Sequence, residues 1–164
     1  MEHRIRSSVN GTERTLSVSS EETLLEMLSK RLGLGGAREV CGMGVCGVCT
    51  VLVDGRPVSS CTYLAPFADG ATITTIEGLA QAGVLHPLQE AFRIHGAAQC
   101  GYCTPAIILA AKALLDRSPQ AGDDEIRDYL AGNLCRCGGY GRILDAIRSV
   151  RDGKMQGIST ITPE

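Results

Sequence analysis

Eight cysteines fall into two groups of four, one in each half of the chain. The first group is Cys41, Cys46, Cys49 and Cys61, and the second is Cys100, Cys103, Cys135 and Cys137. The N-terminal segment has no apolar core of a secretory signal, so we expect a cytoplasmic protein, in which structural thiols stay reduced. A disulfide framework is therefore disfavoured, and each group of four thiolates predicts a metal centre.

The first group has the spacing C-x4-C-x2-C from Cys41 to Cys49, which is typical of plant-type 2Fe-2S ferredoxins, with Cys61 as the distant fourth ligand. Three glycines interrupt this segment: Gly42, Gly44 and Gly47. Without a Cβ they allow unusual backbone angles, so that several N–H groups can point toward an anionic cluster. A four-thiolate zinc site is the competing interpretation.

The second group consists of two close pairs, Cys100–Cys103 and Cys135–Cys137, each preceding a predicted helix. Unpaired N–H groups and the positive end of the dipole at a helix N-terminus favour a negatively charged cluster. Zinc is again the alternative. A thioredoxin-type redox pair would require a βαβ context that this half lacks, and no histidine lies beside a cysteine to support Rieske ligation.

The first half predicts strands and one helix. Asn10-Gly11 and Asp54-Gly55 are two-residue hairpin signals between β-branched segments. The predicted strands are Arg4–Val9, Thr12–Val18, Cys49–Val53, Arg56–Ser60 and Ala71–Ile76. Thr23 is predicted to cap a helix that ends at Gly33 and whose apolar face carries Leu24, Leu25 and Leu28. This pattern predicts a ferredoxin-like β-grasp domain over residues 1–78.

The second half has helical periodicity and predicts a four-helix bundle over residues 79–164. The predicted helices cover Pro87–Gly96, a segment capped by Thr104 with Pro105 in its first turn, Asp123 to a left-handed Gly132, and the segment around Ile143, Ile147 and Val150. The fold class is therefore α+β. The polar tail from Gly153 onward is predicted to dock on a partner or to be loose.

Composition excludes several functions. The chain has 164 residues, 16 Lys and Arg against 18 Asp and Glu, and a net charge of −2 with the two signs interspersed, so no basic stripe predicts binding to nucleic acid. The sequence contains no run of 18 or more apolar residues, so we predict no membrane span. Neither a phosphate-binding glycine motif nor a Ser-His-Asp arrangement is present, and we predict no catalytic residue.

Two short motifs, QCGYCTP at Gln99–Pro105 and GNLCRC at 132–137, resemble the signatures of the small iron–sulfur subunit of molybdenum hydroxylases, the xanthine dehydrogenase and aerobic carbon monoxide dehydrogenase family. The chain is also similar to this family at Gly55-Arg-Pro57, at TTIEGL (74–79) and at LHPLQEAF (85–92). The resemblance covers nearly the whole chain. Val40, Ala106 and Gly138 depart from it, since the family commonly has Gly, Gly and Thr there.

The resemblance implies two 2Fe-2S clusters, one in a ferredoxin-like domain and one in a four-helix domain. It implies a large subunit that binds the molybdopterin cofactor, a medium subunit that binds FAD, and a dimer of such heterotrimers, in which this chain relays single electrons. The cluster on the Cys100 group is expected to face molybdenum and the cluster on the Cys41 group to face FAD. Gln99 and Cys137 are expected to contact the pterin.

Two other functions compete with this interpretation. One is a free diffusible ferredoxin that serves several redox enzymes, and the other is a zinc-stabilised interaction module. Co-purification with two larger chains separates the subunit from the free ferredoxin, while colour and iron content separate both from a zinc protein. The resemblance also implies that the substrate pocket belongs to another subunit.

Overall fold

The computed structural model describes residues 1–154, in which a β-sheet is followed by a helical unit. The strands are β1 (Glu2–Val9), β2 (Thr12–Ser19), β3 (Thr50–Val53), β4 (Arg56–Ser59) and β5 (Thr72–Thr74). The helices are α1 (Leu24–Glu26), α2 (Pro87–Ile94), α3 (Thr104–Arg117), α4 (Asp123–Leu130) and α5 (Tyr140–Arg151). Short 3-10 turns cover Ala65–Ala68 and Ile76–Gly78. All but the first two residues of the predicted tail lie outside the described residues.

The sheet has the strand order β2-β1-β5-β3-β4, with β1 and β5 parallel and the other neighbours antiparallel. Both predicted hairpins are present. Asn10 and Gly11 have φ of 51° and 77°, and Asp54 and Gly55 have φ of 49° and 75°. Two successive positive φ angles are what a type I′ turn requires, which is why these dipeptides were informative. The predicted β-grasp arrangement is confirmed.

The helix that crosses the sheet begins as predicted but changes its hydrogen-bond pattern. Thr23 and Glu26 form a reciprocal capping box at the start of α1. From Met27 to Arg31 the helix continues as a π-helix, and the Leu32 N–H donates to the Met27 carbonyl at 3.2 Å. Spacing of apolar residues does not distinguish these patterns, so this change was not predicted. Gly33 follows with φ 68°, as expected for a left-handed terminator.

In the helical unit α3 is central and buries residues on all sides, including Ile107, Leu109 and Leu114. None of the described helices has the length and apolar character needed to cross a membrane.

Two predictions about helix ends were wrong. Thr104 is the first residue of α3 rather than its cap, and Cys103 takes the N-cap position. Gly132 has no positive φ; α4 ends at Leu130, and the backbone of Gly132 instead packs against the β-grasp unit.

Strand β3 separates two hydrophobic cores, and all four of its residues are buried. Side chains of a strand alternate between its two faces. Val51 and Val53 belong to the core beneath the sheet, whereas Leu52 belongs to the core of the helical unit. The helical unit therefore covers one face of this strand, with α3 packed directly on it. The exact boundary between residues 78 and 79 stays a prediction.

A second contact joins the Cys41–Cys49 loop to the segment after α4. The buried Asn133 side chain donates from Nδ2 to the Gly47 carbonyl at 2.8 Å and to Thr50 Oγ1 at 3.1 Å. The Leu134 N–H donates to the Cys46 carbonyl at 2.9 Å. Gly47 has φ 65°, and a Cβ placed there would overlap the Gly132 carbonyl and lie 2.7 Å from Asn133 Nδ2. Only glycine fits this position without moving the two units apart.

We expect Gly47→Ala to destabilise the protein much more than Gly70→Ala. Both glycines have positive φ, but a Cβ at Gly70 meets no atom within 4 Å. The control should therefore cost only the left-handed strain of about 1–2 kcal/mol, whereas Gly47→Ala adds an overpacking cost of about 1–3 kcal/mol. Melting temperatures of the two variants and the parent protein measure the difference. Equal decreases would show that the two units do not depend on this contact.

Candidate metal centres and their surroundings

The structure brings the first four cysteines together at one end of the sheet. Cys41, Cys46 and Cys49 lie in the loop that leads into β3, and Cys61 lies just after β4. Antiparallel pairing of β3 with β4 places the last of these residues next to the loop. Cys46, Cys49 and Cys61 are buried, while Cys41 is partly exposed.

Backbone N–H groups of the loop point at the Cys41 sulfur. Gly42, Gly44 and Gly47 all have positive φ, of 63°, 74° and 65°, as the sequence predicted. The Cys46 N–H lies 3.5 Å from Cys41 Sγ. Hydrogen bonds from the N–H groups of Cys46, then Met43 and Val45, lower the pKa of the Cys41 thiol to about 6. The loop is therefore arranged to stabilise negative charge on sulfur.

The surroundings of the buried Cys61, unlike those of Cys41, disfavour a negative charge on sulfur. Burial, followed by a hydrogen bond with the Cys49 thiol, raises the pKa of Cys61 to about 11. A thiol in such surroundings is protonated when no metal is present, and a bound metal must displace the proton. Cys49 and Cys61 thus form a close thiol pair beneath the more exposed Cys41.

The second four cysteines lie where α3 and α5 begin. Cys103 occupies the N-cap position of α3, and Cys137 precedes the first residue of α5 by three positions. Burial, followed by a hydrogen bond with Cys135, raises the pKa of Cys103 to about 12. The Tyr102 N–H, followed by the Cys137 thiol, lowers the pKa of Cys100. These contacts pair Cys103 with Cys135 and Cys100 with Cys137.

Paired thiols suit a two-iron cluster, because each iron of a 2Fe-2S centre takes two thiolates. In residues 1–154 no three His, Cys, Asp or Glu side chains converge closely enough to hold a single metal ion. A cavity of about 580 Å³ is lined by Cys100, Cys103 and Cys135 of the second group and by Cys46 of the first. The donor set and the loop N–H groups therefore fit a cluster at each site.

Two tyrosines support the second group. The Cys135 N–H donates to the Tyr140 hydroxyl at 2.8 Å, which fixes the start of α5 against the ligand segment. Tyr102 is 46% exposed, and the Arg38 guanidinium lies 4.9 Å from the centre of its ring. The contact between Tyr102 and Arg38 was not predicted from the sequence.

Gln99 lies beside the second group at the surface. Together with the backbone of Gly138, Gly139 and Gly141 and the side chain of Arg142 it lines an open recess of about 490 Å³. Cys137, next to Gly138, is also exposed. The two residues expected to contact a pterin are thus both accessible from outside the chain.

The three departures from the family pattern occupy different environments. Val40 is 59% exposed, and Ala106 is buried in α3. Gly138 has φ 70°, a left-handed angle at which a Cβ would meet no atom within 4 Å. None of the three positions displaces a cysteine from its group.

Comparison with known proteins decides the family. The model of a 2Fe-2S iron–sulfur cluster binding domain matches residues 7–80, and that of a second 2Fe-2S binding domain matches residues 75–148. The nicotinate dehydrogenase small FeS subunit of Eubacterium barkeri is 46% identical over 144 residues, which are 88% of this chain and 92% of that subunit. The chain belongs to the small 2Fe-2S subunits of the molybdenum hydroxylases.

Two further proteins are similar to most of this chain. The aldehyde oxidoreductase of Megalodesulfovibrio gigas is 46% identical over 143 residues, which are 85% of this chain but only 16% of that protein. A crystal structure of quinoline 2-oxidoreductase from Pseudomonas putida 86 superposes with a TM-score of 0.88 and 42% identity, covering 95% of this chain and 98% of the matched chain. The family membership favours a subunit of a larger complex over a free ferredoxin or a zinc module.

We expect Cys46→Ser to remove the first cluster and spare the second. The parent protein should contain about four iron atoms and four labile sulfides per chain, and the variant about half of each. The second group retains all four thiols, and the Cys46 carbonyl that bonds Leu134 is unchanged by the substitution. Iron and sulfide analysis with EPR of the reduced protein checks this. Loss of both EPR signals from a folded variant would contradict independent ligand sets.

Proposed function

We propose that this chain relays single electrons between the molybdenum–pterin site of a large subunit and the FAD of a medium subunit. Cys41, Cys46, Cys49 and Cys61 hold one 2Fe-2S cluster, and Cys100, Cys103, Cys135 and Cys137 hold the other. A 2Fe-2S cluster accepts and donates one electron at a time. The chain's own contribution is to hold the two sites at a fixed separation and to bring each of them to an accessible surface.

The observation that carries the proposal is the hydrogen bond from the Leu134 N–H to the Cys46 carbonyl, 2.9 Å long. Cys46 is a proposed ligand at the first site, and Leu134 precedes Cys135, a proposed ligand at the second. One hydrogen bond and a short stretch of main chain therefore connect the two ligand sets. A relay needs its two sites close together, and this contact holds a ligand segment of each site against the other.

The direction of the relay rests on the exposed recess beside the second group. Gln99 can offer both donors and an acceptor to a heterocycle, because its side chain is a primary amide. Apart from Gln99 and Arg142, the recess is lined by Gly138, Gly139 and Gly141, which contribute only backbone. This supports Gln99 and Cys137 as pterin contacts, with the second cluster toward molybdenum and the first toward FAD.

The surface beside the first cysteine group is apolar, which suits packing against another subunit. The Cys41–Cys49 loop and the residue before it expose three apolar side chains, Val40, Met43 and Val45, which are 59%, 68% and 63% accessible. A group of exposed apolar side chains on one loop is typical of a surface that is covered in a complex. They support burial of this loop against the proposed FAD subunit. A cytoplasmic dimer of heterotrimers completes the proposal, by analogy with the family.

We expect Gln99→Ala, studied in the assembled complex, to leave both clusters in place but to weaken retention of the pterin cofactor or slow the reduction of the second cluster by substrate. The alanine removes the amide from the recess and leaves all eight thiols. Cofactor content and the magnetic coupling between Mo(V) and each reduced cluster measure the effect. The coupling should be stronger to the cluster on the Cys100 group.

Gln120→Ala is the matched control, since it removes an exposed amide beyond the far end of α3, about 20 Å from Cys103 at a rise of 1.5 Å per residue. It should change neither cofactor content nor coupling. Stronger coupling of Mo(V) to the cluster on the Cys41 group would reverse the proposed direction.

A further inference from the structure

Arg38 connects the segment before the first cluster loop to the loop between Cys100 and Cys103. Its guanidinium donates from Nη1 to the Gly101 carbonyl at 2.9 Å and to the Tyr102 carbonyl at 3.1 Å. It also lies over the Tyr102 ring, 4.9 Å from the centroid. In return, the Tyr102 hydroxyl donates to the Glu39 carbonyl at 3.4 Å. Hydrogen bonds donated in both directions therefore connect residues 38–39 with residues 101–102.

Among the described residues, no carboxylate pairs with the Arg38 guanidinium. Within residues 1–154 its guanidinium makes no ion pair, and the adjacent Glu39 carboxylate extends toward Gly42 instead. The Arg38 side chain is half-buried, so water screens its charge less than that of a fully exposed arginine. An uncompensated positive charge therefore lies against the two residues that separate the ligands Cys100 and Cys103.

We propose that Arg38 is a positioning residue for the second cluster and that its positive charge raises the reduction potential of that cluster. A cluster held by four thiolates is anionic, and reduction adds one more negative charge, so a nearby cation favours the reduced form. The same side chain fixes the loop between Cys100 and Cys103 on the β-grasp unit. The inference rests on the ligand sets proposed above.

The contact also explains why arginine rather than lysine stands here. A planar guanidinium can donate to two carbonyls while lying over an aromatic ring, and an ammonium group cannot do both in the same geometry. Lysine at this position would retain the charge but lose the stack and one hydrogen bond. The two contributions of Arg38 are therefore separable by substitution.

The test compares Arg38→Gln, Arg38→Lys and Arg14→Gln in the assembled complex. Arg14→Gln is the control, since it removes the same charge from β2, at the edge of the sheet opposite β4. Four strand spacings of about 4.8 Å place it roughly 19 Å from the first site, beyond the Debye length of about 8 Å. EPR-monitored redox titration gives the potential of each cluster, and iron and labile sulfide report loading.

We expect Arg38→Gln to lower the reduced-to-oxidised ratio of the second cluster about tenfold at a fixed ambient potential, which is 59 mV for a one-electron couple. The first cluster should change less, because the Arg38 guanidinium donates its hydrogen bonds to the loop between Cys100 and Cys103. Arg38→Lys should retain most of the parent potential, and Arg14→Gln all of it. If the second cluster is absent from Arg38→Gln but present in Arg38→Lys, that result also supports a role for the charge of Arg38.

An unchanged potential in Arg38→Gln would overturn the inference, as would equal decreases or equal loss of the cluster in Arg38→Gln and Arg38→Lys, since geometry alone would then explain the effect. These outcomes are distinct from a failure of the proposed function. A parent protein without four iron atoms and four labile sulfides per chain would refute the ligand sets themselves, whatever the Arg38 variants do.

Discussion

The close approach of Gly47 to Gly132 and Asn133 is the contact on which the relative placement of the two cysteine groups depends. It requires a residue without a Cβ in a left-handed conformation, and it buries the Asn133 amide, which donates to the Gly47 carbonyl in the loop and to the Thr50 hydroxyl at the start of β3. A buried acceptor left unpaired would cost about 1–3 kcal/mol. Beside this contact, the Leu134 N–H bonds the Cys46 carbonyl, so the same packing that joins the units also connects the ligand sets.

Strand β3 and helix α3 make that placement rigid. Leu52 faces the helical core while Val51 and Val53 face the core beneath the sheet, so the strand cannot shift without disturbing both. Well-packed interiors tolerate little displacement. The Arg38 contact adds a third link at the surface. Electron transfer depends steeply on separation, and a small protein that holds two sites in one packed unit meets that requirement without large motions.

Local features of this structure were predictable from sequence, and contacts between distant residues were not. Asn10-Gly11 and the loop glycines require positive φ, which few other residues tolerate, so their types predicted the hairpin and the cysteine loop. Thr104 and Gly132 misled because Cys103 occupies the cap position and because the Gly132 backbone serves packing against Gly47. Asn133 bonds a carbonyl 86 residues away. No local pattern encodes that separation, and the same holds for Arg38.

Magnetic interaction between the two reduced clusters tests the central claim most directly, because the claim is that one packed chain holds both within reach of each other. EPR spectra of the fully reduced protein at low temperature should show signals split or broadened by coupling between the clusters, and partial reduction, which leaves one cluster paramagnetic in most molecules, should remove that splitting. A fully reduced spectrum that equals the sum of two independent signals would contradict the account.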